Sequence, residues 1–404
     1  MKILYLAHRI PFPPDKGDKI RSFNQIRHLS NRHEIDLVCL VDAPEDVGHL
    51  ETLKEYCKSV DHAYRGKYLS MLLAGSAVVT GAPLSVGAFY SRKLQELVNR
   101  NLKTRNYDLI YVYSSAMAAY VQHVSGVPRI MDFVDVDSEK WKEMAMRCGF
   151  PSSWLYRMEA ARLARHERRV AEKFDCSLFV SEEEARLFNK QLQVENTFAI
   201  PNGVDVDYFS PPRDTSRSGK SATLVFTGMM DYFPNVDGVT YFCKEILGRI
   251  RKSLPAVKFY IVGRNPSRNV EELNQDPSVV VTGSVPDIRP YLAMADVAVA
   301  PLRIARGIQN KILEAMAAGL PVVGTAAAFE GIEAQASDGV RIVDAPEAFA
   351  GEVLTLLQNG ALRRQCSLDA RRYVTRHHRW HDHGVKLEAL LQQISQGRPV
   401  AARM

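Results

Sequence analysis

The chain has 404 residues, 46% of them hydrophobic and 24% charged, with a formal net charge of +6. This is the composition of a folded globular protein, and the length exceeds the roughly 250–300 residues at which single cores stop growing, so two domains are expected. The mild basic excess suits anionic ligands or an anionic membrane surface, but the cations are not interleaved with aromatic residues, so nucleic acid is not expected as a partner.

Met1-Lys2 leads straight into the strand-like run Ile3–Ala7, without the basic region and cleavage site of a secretory signal. The cytoplasm is therefore the expected compartment. Apolar runs of strand length then alternate with helical periodicity, the pattern of a parallel sheet covered by helices. In the first half the expected strands are Lys2–His8, Ile35–Leu40, Leu109–Tyr113, Ile130–Phe133, Cys176–Val180 and Thr197–Ile200, with long helices over Asp137–Arg147 and Ser153–Lys173. The uncharged run Tyr68–Ser91, flanked by Arg65, Lys67, Arg92 and Lys93, falls short of the roughly 20 strongly apolar residues a spanning helix needs. It reads as a buried helix or as a peripheral contact with the inner membrane. Residues 205–221, with Pro211-Pro212 and a Ser-rich stretch, read as a linker between an N-terminal domain (1–204) and a C-terminal one (222–376).

The pattern restarts with strands Thr223–Thr227, Lys258–Val262, Val279–Thr282, Val297–Ala300 and Pro321–Gly324, and helices Val236–Lys252, Pro286–Ala295, Ile308–Ala318 and Ala345–Gln358. Ala361–Ile394 reads as helical almost throughout, and 377–404 as a helix packing back across the N-terminal domain. Two doubly wound, Rossmann-like domains facing across a cleft would bind ligands at the carboxyl ends of their strands. The six cysteines show no CxxC spacing and read as reduced thiols. His377 and His381 share a helix face but have no carboxylate partner pattern, so no metal is expected. The arginines of Arg157–Arg169 read as a solvated helix face.

The chemistry is carried by the segment from Arg306 to Val323. A glycine at a helix entrance, here Gly307, lets a ligand approach the backbone, and the unpaired first-turn amides with the helix dipole attract phosphate. Lys311, one turn in, supplies a full positive charge, and Glu314, about two turns along, places a carboxylate for ribose hydroxyls.

This stretch resembles the donor-site signature of the retaining glycosyltransferases of family 4, which have the GT-B fold. Ile200-Pro201-Asn202-Gly203-Val204-Asp205, Val180-Ser181-Glu182 and Phe259-Tyr260-Ile261-Val262-Gly263 are similar to further family motifs and fall in family order. Pro13–Arg21 and Phe133–Trp141 are similar to the sugar transferases of bacterial exopolysaccharide and exosortase (PEP-CTERM) systems.

The resemblance implies transfer, with retention and without a metal, from a UDP- or GDP-sugar to a glycan or lipid-linked acceptor. It assigns the amides of Gly307 and Ile308, with Lys311, to the diphosphate and Glu314 to the ribose. Gly228 and Gly263 follow the first two donor-domain strands. The family's usual glutamate is replaced by Arg306, and the loop Thr227–Asn235 lacks the usual cations. Arg306, Lys311, Arg303 and Arg264 are the nearest candidates to balance the leaving group, joined by Lys16 and Lys19 on a closing loop around Gly17. Asp135 is the candidate acceptor-side base, in a region it shares with Asp137. The alternatives are a GT-B nucleotide-sugar epimerase and a non-catalytic sugar-nucleotide-binding partner in an assembly complex.

Overall fold

The computed structural model describes residues 1–66, 81–193, 196–211 and 222–397. The membrane-contact reading of Tyr68–Ser91 falls largely on residues 67–80, outside the described residues, as do most of the expected linker and residues 398–404. Among the described residues no helix is long and apolar enough to cross a membrane. The chain forms two compact units, one of Met1–Pro201 with His381–Met404 and one of Asn202–Trp380.

The first unit is built on seven parallel strands: β1 (Lys2–Ala7), β2 (Glu34–Val41), β3 (Ser59–Tyr64), β4 (Leu109–Tyr113), β5 (Arg129–Val134), β6 (Cys176–Phe179) and β7 (Thr197–Ala199). Their order is β3-β2-β1-β4-β5-β6-β7. Near-continuous apolar runs such as Ile3–Ala7 are what a sheet buried on both faces requires. Alternate residues serve opposite cores: Ile3 and Tyr5 meet Phe23 and Ile26 of helix Gly17–Leu29, while Leu4 and Leu6 join Ile110 and Phe188 on the other face. Helix Trp380–Ser395 adds Leu387, Leu390, Leu391 and Ile394 to the first of these cores.

The second unit has six parallel strands: β8 (Thr223–Thr227), β9 (Lys258–Val262), β10 (Val279–Gly283), β11 (Val297–Ala300), β12 (Val322–Gly324) and β13 (Val340–Ile342), ordered β10-β9-β8-β11-β12-β13. The chain comes into this unit and leaves it side by side. Val204 N donates to His378 O at 2.7 Å, and a Cβ added to Gly203 would lie 2.6 Å from Trp380 N.

Strands β3 and β13 were not anticipated. β3 carries Asp61 and His62 on a sheet edge, and β13 spans only three residues, so neither presents an apolar run. The C-terminal segment, expected to be helical almost throughout, is divided at His378 into Gly360–His377 and Trp380–Ser395. There His378 Nδ1 lies 3.2 Å from Asn202 O, and His378 O accepts from Val204 N at 2.7 Å.

Candidate active site

In each sheet the strand order reverses at one point, between β1 and β4 and between β8 and β11. Loops leaving neighbouring strands in opposite directions open a crevice there.

In the second unit the loops after β8 and β9 run backbone against backbone. Gly228 N donates to Val262 O at 3.0 Å and Met230 N to Arg264 O at 2.9 Å. A Cβ on Gly263 would lie 1.6 Å from Gly228 O, so only glycine fits. Asn235, near the start of helix Phe233–Tyr241, donates to Met229 O at 2.9 Å and accepts from Lys311 Nζ. The Lys311 ammonium also sits 4.5 Å from the centroid of the Phe226 ring, a cation–π contact. Burial pulls the Lys311 ammonium down to about 7 and pushes the Glu314 carboxyl up to about 7, each opposed by the other's charge.

The helix carrying these two residues begins at Asn310, with Gln309 at its N-cap, later than the expected start at Ile308. Gly307 is left-handed, with φ 60°, and together with Ile308 precedes the helix. Their amides are therefore loop amides. Lys311 belongs to the first turn and Glu314 to the second, one turn earlier than the sequence suggested.

Three of the other expected cations, Arg306, Arg303 and Lys19, are engaged elsewhere. Arg306 pairs with Glu330 at 3.2 Å, and Arg303 binds both oxygens of Asp237. Arg264 is half-buried at the β9 loop. Lys19, expected on a closing loop, is instead buried within helix Gly17–Leu29, 3.5 Å from Asp46 and 4.0 Å from Asp15. Gly17 is the first residue of that helix and Lys16 its N-cap.

In the first unit, Ala7, Tyr113 and Asp132 are level across β1, β4 and β5. Asp132 is wholly buried and accepts from Arg21 Nε at 2.9 Å, Gln25 Nε2 at 2.8 Å and Tyr111 Oη at 2.7 Å. Beyond it the backbone is pinned by carboxylates at alternate residues. Asp132 accepts from Val134 N at 3.1 Å, Glu184 from Val136 N at 2.6 Å and Glu167 from Ser138 N at 3.0 Å. Val134 takes a left-handed φ of 73°, rare for a β-branched residue and a form of local strain that clusters at functional sites. Asp135 and Asp137 lie between the pinned amides, and burial raises both carboxyls above their usual range against the opposing charge of Lys140.

Sequence reasoning missed His8, which follows β1. Its Nε2 lies 3.2 Å from Asp18 and its ring stacks on Tyr113 at 5.7 Å. His8 Nδ1, Tyr113 Oη and Asp135 Oδ1 are buried with no hydrogen-bond partner in the protein. His8 closed the expected strand Lys2–His8, and only the strand order sets it at the reversal point. Asn235 was likewise missed as the partner of Lys311.

Residues 221–359 match the family model described as glycosyl transferases group 1. No curated protein matches the chain. Among solved structures, sucrose-phosphate synthase from Thermosynechococcus elongatus has 17% identity and a TM-score of 0.73, with 98% of this chain and 100% of that chain covered. Anabaena HepE, solved with UDP and glucose, has 15% identity and a TM-score of 0.68, covering 97% of this chain and 100% of its own. WaaG, a glycosyltransferase of lipopolysaccharide biosynthesis, has 16% identity and a TM-score of 0.65 over 96% of this chain and 99% of its own. At these identities the structures speak for the fold, which is GT-B, and the family match speaks for the chemistry of the second unit. With a group 1 domain on a GT-B fold, the chain is a glycosyltransferase.

Proposed function

We propose that the protein transfers a hexosyl group, with retention, from a UDP- or GDP-sugar to a hydroxyl of a glycan or lipid-linked acceptor in exopolysaccharide assembly. The observation that carries this is the Lys311 ammonium, held by Asn235 and Phe226 beside Gly228 at the strand-order reversal of the group 1 domain. An arriving diphosphate meets a preplaced cation and loop amides at Gly307 and Ile308, and Glu314 serves the ribose. Preplaced groups that stabilise the charge developing on a leaving group contribute most of the rate in many such reactions. As the anomeric C–O bond breaks, its electron pair leaves with the diphosphate and the acceptor oxygen forms the new bond. The hydroxyl proton passes to Asp135, whose raised pKa makes it a stronger base than an ordinary carboxylate. His8 Nδ1 and Tyr113 Oη are left to receive further acceptor hydroxyls.

HepE is described with UDP-glucose, which supports a UDP-hexose donor by analogy of fold. An epimerase or a non-catalytic nucleotide binder would share the donor site without the acceptor groups. The test is a panel of nucleotide sugars screened by mass spectrometry for binding, followed by nucleotide release with and without acceptor. Lys311→Ala and Glu314→Ala are each expected to lower release by about ten-fold or more, and near-wild-type transfer in both would sink the donor assignment. Tight binding without turnover favours the binding module.

A further inference from the structure

Helices Asp137–Arg147 and Ser152–Lys173 form a hairpin, closed near its tip by an edge contact of Trp141 on Tyr156 at 5.2 Å. Among the described residues the tip is apolar and uncovered. Phe150 is 85% exposed, Met146 68% and Trp154 61%, with Leu155 beside them. Three of the four most exposed large hydrophobic residues among those described thus fall within nine consecutive positions, whereas such residues are normally scattered singly.

Charge along the same hairpin is sorted by side. Between Met144 and Ala171 the only acids are Glu159 and Glu167, and both are buried. Glu159 accepts from Leu84 N at 2.8 Å and Ser85 N at 2.9 Å, and Glu167 from Ser138 N at 3.0 Å. The same interval holds six arginines, of which Arg147, Arg157, Arg165, Arg168 and Arg169 are exposed. Trp154, Arg157, Ala161, Arg165 and Arg168 follow at helical spacing and share one face. An ordinary solvated helix mixes both signs outward; over this interval the acids are turned inward and the outer face is cationic, with the exposed Glu172 following only in the last turn, at the end away from the tip.

We infer that this hairpin tip docks on an anionic lipid bilayer, with Phe150, Trp154 and Met146 in the interface and the arginines on lipid headgroups. Aromatic rings favour the headgroup level, apolar area buried there adds to the attraction of arginine for anionic lipid, and the combination anchors a protein without a spanning helix. The inference goes beyond the transfer reaction and does not depend on it.

The test is flotation with phosphatidylcholine vesicles with and without phosphatidylglycerol, read together with tryptophan fluorescence. Wild type is expected to float with the anionic vesicles, with a blue shift that Trp154→Phe removes, and to float less as salt is raised. Phe150→Ser with Trp154→Ser should lower partitioning more than ten-fold. Arg157→Glu with Arg165→Glu should abolish the preference for anionic vesicles. Both pairs should keep wild-type melting and UDP affinity, which separates loss of docking from misfolding and from failure of the donor reading. Wild type that stays off anionic vesicles, or a Phe150→Ser/Trp154→Ser variant that still floats, overturns the inference. So does a dimer of wild type in sedimentation that the same variant dissolves, since a second copy would then cover the tip.

Discussion

The two crevices arise from one topology and are furnished in opposite ways. In the second unit the loops are backbone packed on backbone at Gly228 and Gly263, with one cation, Lys311, held by an amide oxygen and a ring. In the first unit the loops are held by buried carboxylates, Asp132, Glu184 and Glu167, and two more acids, Asp135 and Asp137, lie between them. Amides and an ammonium suit a diphosphate, whereas carboxylates and a histidine nitrogen suit hydroxyl groups. Topology fixes where a ligand sits, and the choice between glycine and acid at the strand ends fixes its charge.

That contrast can be broken most severely at Gly263. With its Cβ due 1.6 Å from a carbonyl oxygen, Gly263→Ala is expected to cost at least about 4 kcal/mol and to abolish UDP binding. Urea denaturation and calorimetry check it, and a variant as stable as wild type would show that the two loops do not touch. Next, Asp135→Asn should lower transfer by about a hundred-fold or more while leaving UDP affinity within about two-fold, as expected for a proton acceptor that takes no part in holding the nucleotide. Matching losses in both measurements would merge the two crevices into one function. The smallest effect is expected at Lys311. Lys311→Gln should weaken UDP binding by about ten- to a hundred-fold, the worth of a charged hydrogen bond. Because burial lowers this ammonium to about 7, it is charged below that pH and neutral above it. Wild-type affinity for UDP should therefore decline as pH rises through about 7, and the Gln variant should show no such decline.

Most of the sheets were legible in the sequence because strands buried on both faces are written as apolar runs, Ile3–Ala7 and Phe259–Val262 among them. The edge strands β3 and β13 were not, since an edge needs no such run. The Arg306–Val323 segment was legible as a glycine followed by a helix, but the start of that helix was not. Gln309 at the N-cap belongs to no strong capping class, and Gly307 takes a left-handed turn, so the helix starts later than its apolar period implied. Arg306 looked like a phosphate ligand because its partner Glu330 lies 24 residues away, and no local pattern shows such a pair. Lys19 looked mobile beside Gly17 for the same reason: its acid Asp46 belongs to another segment. His8 and Tyr113 acquire meaning only once the strand order is known.

The pairing of Asn202–Val204 with His378–Trp380 has a consequence for the protein's modularity. Because the second unit begins and ends at neighbouring points, it is an insertion that can be lifted out as one continuous piece, Asn202–Trp380, with its two cut ends already joined by Val204 N to His378 O. The first unit is the discontinuous partner, owing Leu387, Leu391 and the rest of its final helix to residues encoded after the insertion. During synthesis the first core is completed only when the last helix emerges, so the second unit is finished before the first, although the first begins earlier in the sequence.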